Sequence, residues 1–533
     1  AQPVRFAVAT DVHLRLPDED LPVYYPESDI YYSCWGSGNQ THEAAGLLTQ
    51  MLEAAAADGA RFVLLGGDLA HNGEETQHRY FAFILRRFEQ ESGIPVYVVP
   101  GNHDYFDRVG PAEFKELYAD FGYAEALAAD EKTASYTADL PGNYRLIAVD
   151  SNDPGKNGDG LDERLFSWID AAAEAAAADG RTPILMMHHP LLDPIPYAGV
   201  LMKDFIVRDH KTVAERFANH GISYVFTGHE HGNNITSYTA ANGRVIYDIL
   251  TTSLNSYPME YRMINLFSDR MEIQMAGLTS LSPDHMPPGY NEAQRAAIAA
   301  HYTAYSLGFF KFSVAKKIER VASAENVKSV LGDTALNSAI DIVMPLVNEA
   351  LNMPFYAETG ESVASLAAAA GATLPASDYL SLLDFITSIV AAVYRGGEDL
   401  STQKAPEGRI FIVALNTLLK YIVANTGNRV TQAQLNRIFG ALGFQALNEL
   451  DLYRWNRAYV PGADYSYAAA EAALAPLLDQ FLQDDAVPDR DAVLISSAPT
   501  ESGFLARARA FFQKLRAFFE RIFKSLRKAG KIG

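Results

Sequence analysis

Pro95-Val96-Tyr97-Val98-Val99-Pro100-Gly101-Asn102-His103-Asp104 joins a short apolar, β-branched run to a polar turn. A run of this length between Pro and Gly is typical of a buried strand. The polar residues therefore follow the carboxyl end of that strand, where open α/β sheets hold their ligands. This arrangement predicts a functional loop at the rim of a sheet.

The same arrangement occurs four more times in the first half of the chain. Apolar runs at 6–9, 62–65, 184–187 and 224–226 precede Asp11-Val12-His13, Gly66-Gly67-Asp68, His188-His189-Pro190 and Gly228-His229-Glu230-His231. Segments with helical character alternate with the runs, at Thr41–Ala57, Glu75–Gln90, Leu161–Ala178 and Asp209–His220. Adjacent strands are expected over 244–277. Residues 1–280 are therefore expected to form an α/β domain of stacked sheets covered by helices.

The second half of the chain has a different pattern. The segment 282–289 has the Pro and Gly content of a linker. Apolar residues then recur at helical spacing in Asn291–Leu307, Leu336–Leu351, Tyr379–Tyr394, Arg409–Ala424, Gln432–Leu442 and Tyr467–Leu482. We predict an all-α domain over 290–485, a loop over Val487–Gly503, and a basic amphipathic helix over 504–533.

Composition limits the classes of function. A chain of 533 residues is too long for one core, and no apolar run is long enough to cross a bilayer. The net charge of −21 argues against a nucleic-acid polymer as partner. The only cysteine, Cys34, excludes an internal disulfide. The start at Ala1-Gln2-Pro3 is consistent with a removed secretory signal or with trimming, and we expect a periplasmic or secreted location over a cytoplasmic one.

The polar residues after the five runs form a set of metal-ligand types. The candidate ligands are Asp11, His13, Asp68, Asn102, His188, His229 and His231. A mixture of carboxylate, amide oxygen and imidazole suits Mn, Fe, Zn or Co, not calcium and not thiolate-bound zinc. A single carboxylate, Asp68, could bridge two divalent or trivalent ions. The sequence therefore predicts a binuclear metal centre.

Such a centre predicts hydrolysis of a phosphate ester. Two ions would lower the pKa of a bridging water, giving hydroxide near neutral pH, and would neutralise charge on the phosphate oxygens. The leaving oxygen needs a proton, and His103 is the candidate general acid. The neighbouring Asp104 is expected to keep that imidazole protonated and oriented. A hydrogen-bonded structural histidine is the alternative for His103.

The motifs D-x-H, G-D, G-N-H-D, H-H-P and G-H-x-H, in this order, resemble those of the calcineurin-like metallophosphoesterases. The resemblance spans residues 5 to about 270 and implies a four-layer α/β/β/α sandwich. It assigns Asp11, His13, Asp68 and His231 to one metal, and Asp68, Asn102, His188 and His229 to the other. The stretches 188–193, 228–235 and 248–262 are similar to a bacterial subgroup with a helical C-terminal domain, whose members are regarded as phosphodiesterases, some acting on cyclic nucleotides.

The expected activity is therefore hydrolysis of a small phosphodiester, with a cyclic nucleotide as one candidate. A phosphomonoesterase and a phospholipid head-group hydrolase are the alternatives among enzymes. A scaffold or binding protein on a phosphoesterase fold is the alternative outside enzymes. Such a protein would be expected to have lost ligands, and every ligand position is retained here.

Other polar and aromatic residues lie near the motifs. His189, Asn72 and Asn233 are candidate substrate contacts. His189 could equally fill the loop before Pro190, and turn geometry explains the two asparagines as well. Arg15 and Arg108 are candidates for substrate charge, and His42, His71 and His78 are expected at the surface or in caps. The aromatic insertion 14–39 could overhang the site or pack on the protein itself. The segment 504–533 carries nine Lys and Arg against one Glu beside a Phe-rich stripe. It could contact a membrane surface or pack on the acidic body.

Overall fold

The computed structural model describes residues 3–16, 38–105, 109–153, 158–194, 205–287, 290–397, 400–401, 404–439, 475, 479 and 487–495. Most of the aromatic insertion, Arg108, nearly all of the predicted helix Tyr467–Leu482 and the basic segment 504–533 lie outside these residues. What the sequence predicts for them stays a prediction.

The first half of the chain supplies nearly all the strands. In chain order the strands are β1 (Val4–Ala9), β2 (Val63–Leu65), β3 (Val96–Val98), β4 (Ala128–Ala129), β5 (Tyr136–Leu140), β6 (Tyr144–Val149), β7 (Thr182–Met187), β8 (Tyr224–Thr227), β9 (Asn234–Thr239), β10 (Val245–Leu250), β11 (Glu260–Leu266), β12 (Arg270–Gly277) and β13 (Ala492–Ile495). They form a six-stranded sheet in the order β13-β12-β11-β1-β2-β3 and a seven-stranded sheet in the order β4-β5-β6-β7-β8-β10-β9.

Both sheets contain a run of parallel strands, which lies at one side of the six-stranded sheet and at the centre of the seven-stranded sheet. In the six-stranded sheet β1, β2 and β3 run parallel, with Ala7 opposite Val63 and Val63 opposite Val96. In the seven-stranded sheet β6, β7, β8 and β10 run parallel. The parallel strands of each sheet therefore present their carboxyl ends at one edge, which is the edge that carries the five motifs.

The two sheets pack face to face, and helices cover their outer faces. Side chains of β1 alternate between the two cores, as the period of a strand requires. Phe6 packs between the sheets beside Phe62 and Phe226, whereas Ala7 and Ala9 face the helices. A separate cluster packs the other outer face against Ile169 and Phe217 of two further helices. These layers confirm the predicted α/β/β/α sandwich.

Helices alternate with the strands in the first half of the chain and predominate in the second. The α-helices of the described residues are α1 (Ala44–Ala57), α2 (Glu75–Ser92), α3 (Pro111–Leu117), α4 (Glu163–Ala178), α5 (His210–Asn219), α6 (Glu292–Ala300), α7 (Tyr302–Val321), α8 (Ala324–Leu331), α9 (Asn337–Asn352), α10 (Val363–Ala369), α11 (Leu382–Arg395), α12 (Glu407–Thr426) and α13 (Gln432–Phe439). From α8 to α13 they enclose a second core of their own. Within the described residues, no helix combines the length and the apolar character that crossing a membrane requires.

The helical region differs from the sequence prediction at its start. The predicted helix Asn291–Leu307 is two helices, because His301 has non-helical backbone angles of φ −136° and ψ 37° between α6 and α7. Helices α8 and α10 were not predicted, since they are short and their apolar stripes cover only about two turns. The fully buried Tyr302 of α7 packs on the sandwich, where its hydroxyl donates to Gln40 Oε1 at 2.9 Å.

The prediction of a loop over Val487–Gly503 is wrong for part of residues 487–495, which the structure describes. Its residues Ala492–Ile495 form β13, which pairs antiparallel with β12 and extends the six-stranded sheet. Two residues of the seven-stranded sheet bind the new strand, since the hydroxyls of Tyr224 and Tyr247 donate to backbone carbonyls of Leu494 and Ile495. The chain therefore returns to the sandwich after the helical region.

We predict that Glu89 makes stability depend on pH. Its Oε1 accepts the Val96 amide at 2.7 Å where α2 meets β3, and burial raises its pKa to about 7 despite that bond. A carboxyl group with a raised pKa binds its proton more tightly in the folded state, so its contribution to stability falls as pH rises from about 4.5 to about 7. Glu89→Gln keeps the acceptor and should remove that component. The thermal midpoint of the variant minus that of the wild type should therefore grow across this pH range.

Glu116→Gln is the matched control, because Glu116 lies on an exposed position of the neighbouring α3. Its midpoint difference should stay flat over the same pH range. A flat difference for Glu89→Gln would contradict the assignment.

Candidate metal centre

The five motif loops meet because their strands end at the same edge of the sandwich. Asp11 and His13 follow β1, and Asp68 follows β2, its parallel neighbour. The loops that carry His188 and the His229–His231 pair follow β7 and β8 of the other sheet, also parallel neighbours. Strand direction alone thus brings residues that are far apart in sequence to one rim.

A first donor group contains Asp11, His13, Asp68 and His231, whose ligand atoms all lie within 4.8 Å of one another. Nε2 of His231 lies 3.3 Å from Asp11 Oδ1 and 3.1 Å from His13 Nε2. Nε2 of His13 lies 3.5 Å from Asp68 Oδ2. These are the four residues that the resemblance assigned to the first metal.

A second donor group contains Asp68, His188 and His229, again within 4.8 Å. Nδ1 of His188 donates to the Gly66 carbonyl at 2.9 Å, which turns Nε2 towards Asp68 Oδ2 at 3.3 Å and His229 Nδ1 at 3.2 Å. Asp68 belongs to both groups, as expected of a bridging ligand. Asn102 begins the turn after β3, and its Oδ1 is buried without a hydrogen-bond partner among the described residues.

The donors are held by strained backbone. Five of the seven predicted ligands have φ in the left-handed region: Asp11 (53°), His13 (45°), Asp68 (49°), His229 (75°) and His231 (58°). In the described part of the chain, only Asp209 and Met259 share this feature among residues other than glycine. Such conformations cost free energy and persist where the surrounding structure enforces them, commonly at functional sites.

Two glycines of the motifs are required by close approach. A Cβ at residue 101 would overlap the carboxylate of Asp68, and one at residue 228 would overlap Thr10 and the carboxylate of Asp11. Neither glycine has a φ in the left-handed region, so backbone conformation does not require glycine at these positions. Both allow one loop to press its backbone against the ligand of another, so they set the spacing between the loops.

Supporting hydrogen bonds orient the first carboxylate, and the sequence analysis did not identify them. Asp11 Oδ2 accepts from Thr10 Oγ1 at 2.7 Å and from the His229 amide at 3.0 Å. Ser253 Oγ donates to the Asp11 carbonyl at 2.7 Å, and Thr252 Oγ1 donates to the carbonyl of His231. Ser and Thr in a loop give no local signal of these bonds, because their partners are distant in sequence.

Burial and the two carboxylates set the charges of the imidazoles. Burial lowers the pKa values of His13 and His229 well below their usual range. Burial also opposes protonation of His188, but Asp68 and Asp11 outweigh it and raise its pKa to about 10. Asp68 keeps its negative charge although it is buried, because His188 and then His103 hold its pKa well below the usual value. The negative charge of Asp68 is therefore paired with a protonated His188, beside the neutral imidazoles of His13 and His229.

The predicted orienting role of Asp104 is corrected by the structure. Nδ1 of His103 donates to the backbone carbonyl of His71 at 2.8 Å. The Asp104 carboxylate instead accepts three backbone amides, from Leu69 at 3.1 Å, Ala70 at 2.8 Å and Gly101 at 2.8 Å. It therefore ties the loop of Asp68 to the loop of Asn102. Burial and then the charge of Asp68 raise its pKa to about 8.

The structure also places the three predicted substrate contacts. The side chain of Asn233 is engaged in the protein: its Nδ2 donates to Glu260 Oε2 and to the Arg395 carbonyl, and its Oδ1 accepts the Thr252 amide. Both polar atoms of this side chain thus bind the protein, so the predicted contact of Asn233 with substrate is wrong. His189 is fully buried with Nδ1 2.9 Å from Ser151 Oγ, which favours a packing role. Asn72 is half-buried, and its contact stays a prediction.

Two histidines expected at the surface or in caps are buried. His78 is fully buried, with its ring nitrogens 2.9 Å from Tyr118 Oη and 3.1 Å from the Asp104 carbonyl. His71 is buried with Nδ1 unpartnered in the described residues, and its ring lies 5.9 Å from that of His103 and 5.6 Å from that of His13. Burial, then the charges of His103 and Arg15, lower the pKa of His71 to about 3. His42 is half-buried ahead of α1.

The helical region contacts the loop that carries His229 and His231. The Tyr394 carbonyl at the end of α11 accepts the Asn233 amide at 2.9 Å. Asp489, just before β13, accepts the amides of Ile235 and Gly397 at 3.0 and 3.1 Å. One carboxylate thus joins the motif loop, the end of α11 and the returning chain.

The donor set fits a pair of borderline metal ions. It offers carboxylate oxygen, an amide oxygen and imidazole nitrogens at one place. Two imidazole nitrogens lie 3.1 Å apart, and the buried Asn102 Oδ1 has no partner within the described ranges, so cations or protons are needed as their counterparts. The geometry does not select among Mn, Fe, Zn and Co.

Comparison with known families gives the same reading. Residues 4–233 match the calcineurin-like phosphoesterase family, and this range contains every motif residue described above. These residues form a calcineurin-like phosphoesterase domain. The predicted family is thereby confirmed, and with it a domain of metal-dependent type.

Curated relatives of the calcineurin-like domain are phosphodiesterases by name. A cAMP/cGMP dual specificity phosphodiesterase of Mycobacterium tuberculosis is 26% identical over 191 residues, which are 36% of this chain and 55% of that protein. A "Probable glycerophosphodiester phosphodiesterase" of Arcobacter nitrofigilis is 25% identical over 128 residues, 24% of this chain and 41% of that protein. The chain thus spans about half the length of these relatives. A dimetal phosphatase from Danio rerio is 15% identical with a TM-score of 0.39, over 52% of this chain and 96% of that one.

We predict that Asp104→Asn destabilises the protein without changing its preference for leaving groups. The amide nitrogen of Asn cannot accept a hydrogen bond, so at least one of the three amides loses its acceptor in a buried place. That loss costs about 1–3 kcal/mol. The thermal midpoint of the metal-free protein measures it.

Asp120→Asn is the control, because the Asp120 carboxylate pairs with Arg86 on the exposed surface, where such pairs contribute little. The assignment fails if Asp104→Asn leaves the midpoint unchanged but slows turnover mainly for poor leaving groups, since that pattern belongs to a partner of the general acid.

Proposed function

We propose that this chain hydrolyses phosphodiesters with two metal ions at the centre formed by Asp11, His13, Asp68, Asn102, His188, His229 and His231. One observation carries the proposal: two groups of donors, all buried except the half-buried His231, converge at the rim and share the Asp68 carboxylate. Ordinary core packing offers no reason to bury two carboxylates and three imidazoles together, because their desolvation is costly unless they are paired or bind cations.

The residues of the chain position the cations and the substrate. Asp68 would bridge the pair, with Asp11, His13 and His231 on one side and Asn102, His188 and His229 on the other. When bound, the cations would supply positive charge that polarises the phosphoryl group and lowers the pKa of the attacking water. The strained loops keep these donors in place before substrate arrives, so little reorganisation is needed during the reaction.

His103 is the residue placed to protonate the leaving oxygen. Its backbone amide donates to Asp68 Oδ1 at 2.8 Å, and its Nδ1 donates to the His71 carbonyl at 2.8 Å. The second bond orients the ring beside the donor groups, so Nε2 is the nitrogen that would carry the transferable proton. A proton on that nitrogen would pass to the leaving alkoxide.

The relatives favour a diester over a monoester as substrate, because both of those described above are phosphodiesterases by name. A cyclic nucleotide is the specific candidate.

The activity is tested with metal-free protein reconstituted with Mn²⁺ or Zn²⁺. We expect two ions per chain and faster turnover of bis(4-nitrophenyl) phosphate than of 4-nitrophenyl phosphate. Asp68→Asn should lower turnover by at least about 100-fold, the upper range for loss of a partner that supports a metal. His285→Asn, at a half-buried position on the linker, is the matched control. A monoester preference would overturn the diester assignment, and fewer than one ion per chain without turnover would favour a binding protein.

The general acid is tested with leaving groups of different basicity. His103→Ala should slow hydrolysis of methyl phenyl phosphate by roughly 100-fold or more, because phenolate needs a proton to leave. It should slow methyl 4-nitrophenyl phosphate much less, since nitrophenolate leaves readily. Equal losses on both substrates would remove His103 from the acid role, and the metal content of the variant must stay at the wild-type value.

A further inference from the structure

His71 is a buried imidazole that the proposed reaction does not use. It is 5% exposed, it follows Asp68 by three residues, and its Nδ1 has no hydrogen-bond partner in the described part of the chain. An unpartnered buried nitrogen costs free energy, so its position calls for a physical reason. A capping role does not supply one, because the contact that His71 makes to His103 comes from its backbone carbonyl and not from its ring.

The ring of His71 belongs to a cluster of three imidazoles. One ligand nitrogen from each of His13, His71 and His103 lies within 4.8 Å of the other two. The ring centroids of His13 and His103 are 4.7 Å apart, and His71 completes the triangle at 5.6 and 5.9 Å. Three convergent imidazoles are a common protein set for Zn²⁺, which holds three of them in a tetrahedral arrangement with a fourth, open position.

We propose that His13, His71 and His103 form a third cation site that takes Zn²⁺ and switches the enzyme off. His103 enters this site through Nε2, because its Nδ1 donates to His71. His13 would enter through Nδ1, which is buried without a partner among the described residues, while its Nε2 faces Asp68 and His231. With a metal at Nε2 as well, the ring would give up its remaining N–H proton to solvent and bind both ions as an imidazolate. A Zn²⁺ ion here binds the nitrogen of His103 from which the proton would leave.

The third site is weaker than the two metal positions. It contains no carboxylate, so nothing in it offsets the charge of the ion, and it lies beside cations that repel a third. Binding also displaces protons from the imidazoles. The site therefore fills last, at zinc concentrations above those that load the binuclear centre. Activation by stoichiometric zinc is followed by inhibition when zinc is in excess.

The inhibitory site rests on the proposed function for its effect on turnover, but not for its existence. Equilibrium dialysis of the full chain against Zn²⁺, read by mass spectrometry of the metal, gives stoichiometry without substrate. Wild-type protein should reach about three ions per chain and His71→Asn about two, because the variant keeps both donor groups and the backbone carbonyl that holds His103. His301→Asn, at an exposed position before α7, is the control and should reach three.

Crystals of the zinc-saturated protein measured at the zinc absorption edge should show a third peak between the rings of His13, His71 and His103. In turnover of methyl phenyl phosphate, excess Zn²⁺ should inhibit the wild type by roughly 100-fold, the lower range of a lost general acid. It should inhibit His71→Asn by less than about twofold, each protein being compared with its own rate at two ions per chain.

The outcomes separate this proposal from the proposed function. Saturation of the wild type at two ions, or a third ion that persists in His71→Asn, overturns the inhibitory site whatever the activity. Three ions in the wild type and two in the variant, with no hydrolysis of any ester, would sustain the zinc site and overturn the enzyme. The two-ion content of His71→Asn also shows that the variant is folded.

Discussion

The carboxylate of Asp68 is the group on which the rest of the site depends. It is buried, it keeps its negative charge, and it faces histidines from three loops of the sandwich. Removing a carboxylate from water is costly, and here His188, the His103 amide and the expected cations offset that cost. Gly101 must lack a side chain so that its loop can approach this carboxylate. The spacing of the whole rim follows from this one requirement.

The strained loops are tolerable because regular structure surrounds them. Each follows a strand in a core of Phe6, Phe62 and Phe226, and each is tied to another loop by side-chain hydrogen bonds. A backbone at positive φ would relax if its ends were free. Two stacked sheets hold those ends, so the strain is borne by packing, and the donors stay convergent before any ion binds.

The ligands and the sandwich could be predicted because both depend on short stretches of sequence. An apolar run of three or four residues that is followed closely by Asp, Asn or His carries its strand and its ligand in the same window. The partners of Asp104, Asn233 and His71 could not be predicted, because each partner lies on a loop elsewhere in the chain. Asp104 follows His103 in the chain and was expected to orient its ring, yet the Asp104 carboxylate accepts the amides of Leu69 and Ala70.

Dependence on distant contacts also explains the secondary structure that the sequence did not predict. The strand Ala492–Ile495 has four residues, two of them exposed, and only its pairing with β12 makes it a strand. The break at His301 interrupts an otherwise helical pattern without a proline or glycine that would predict it. Propensity is too weak to specify either feature, and tertiary contacts decide both.

The return of the chain at β13 has a consequence for biosynthesis. The six-stranded sheet receives its last strand only when residues 492–495 have left the ribosome, after the whole of 278–491 has been made. Until then β12 is an open edge to which another nascent chain could pair. A chain that terminates prematurely in the helical region keeps every metal ligand but leaves this edge uncovered, so truncated products of this gene should aggregate and not accumulate as smaller enzymes.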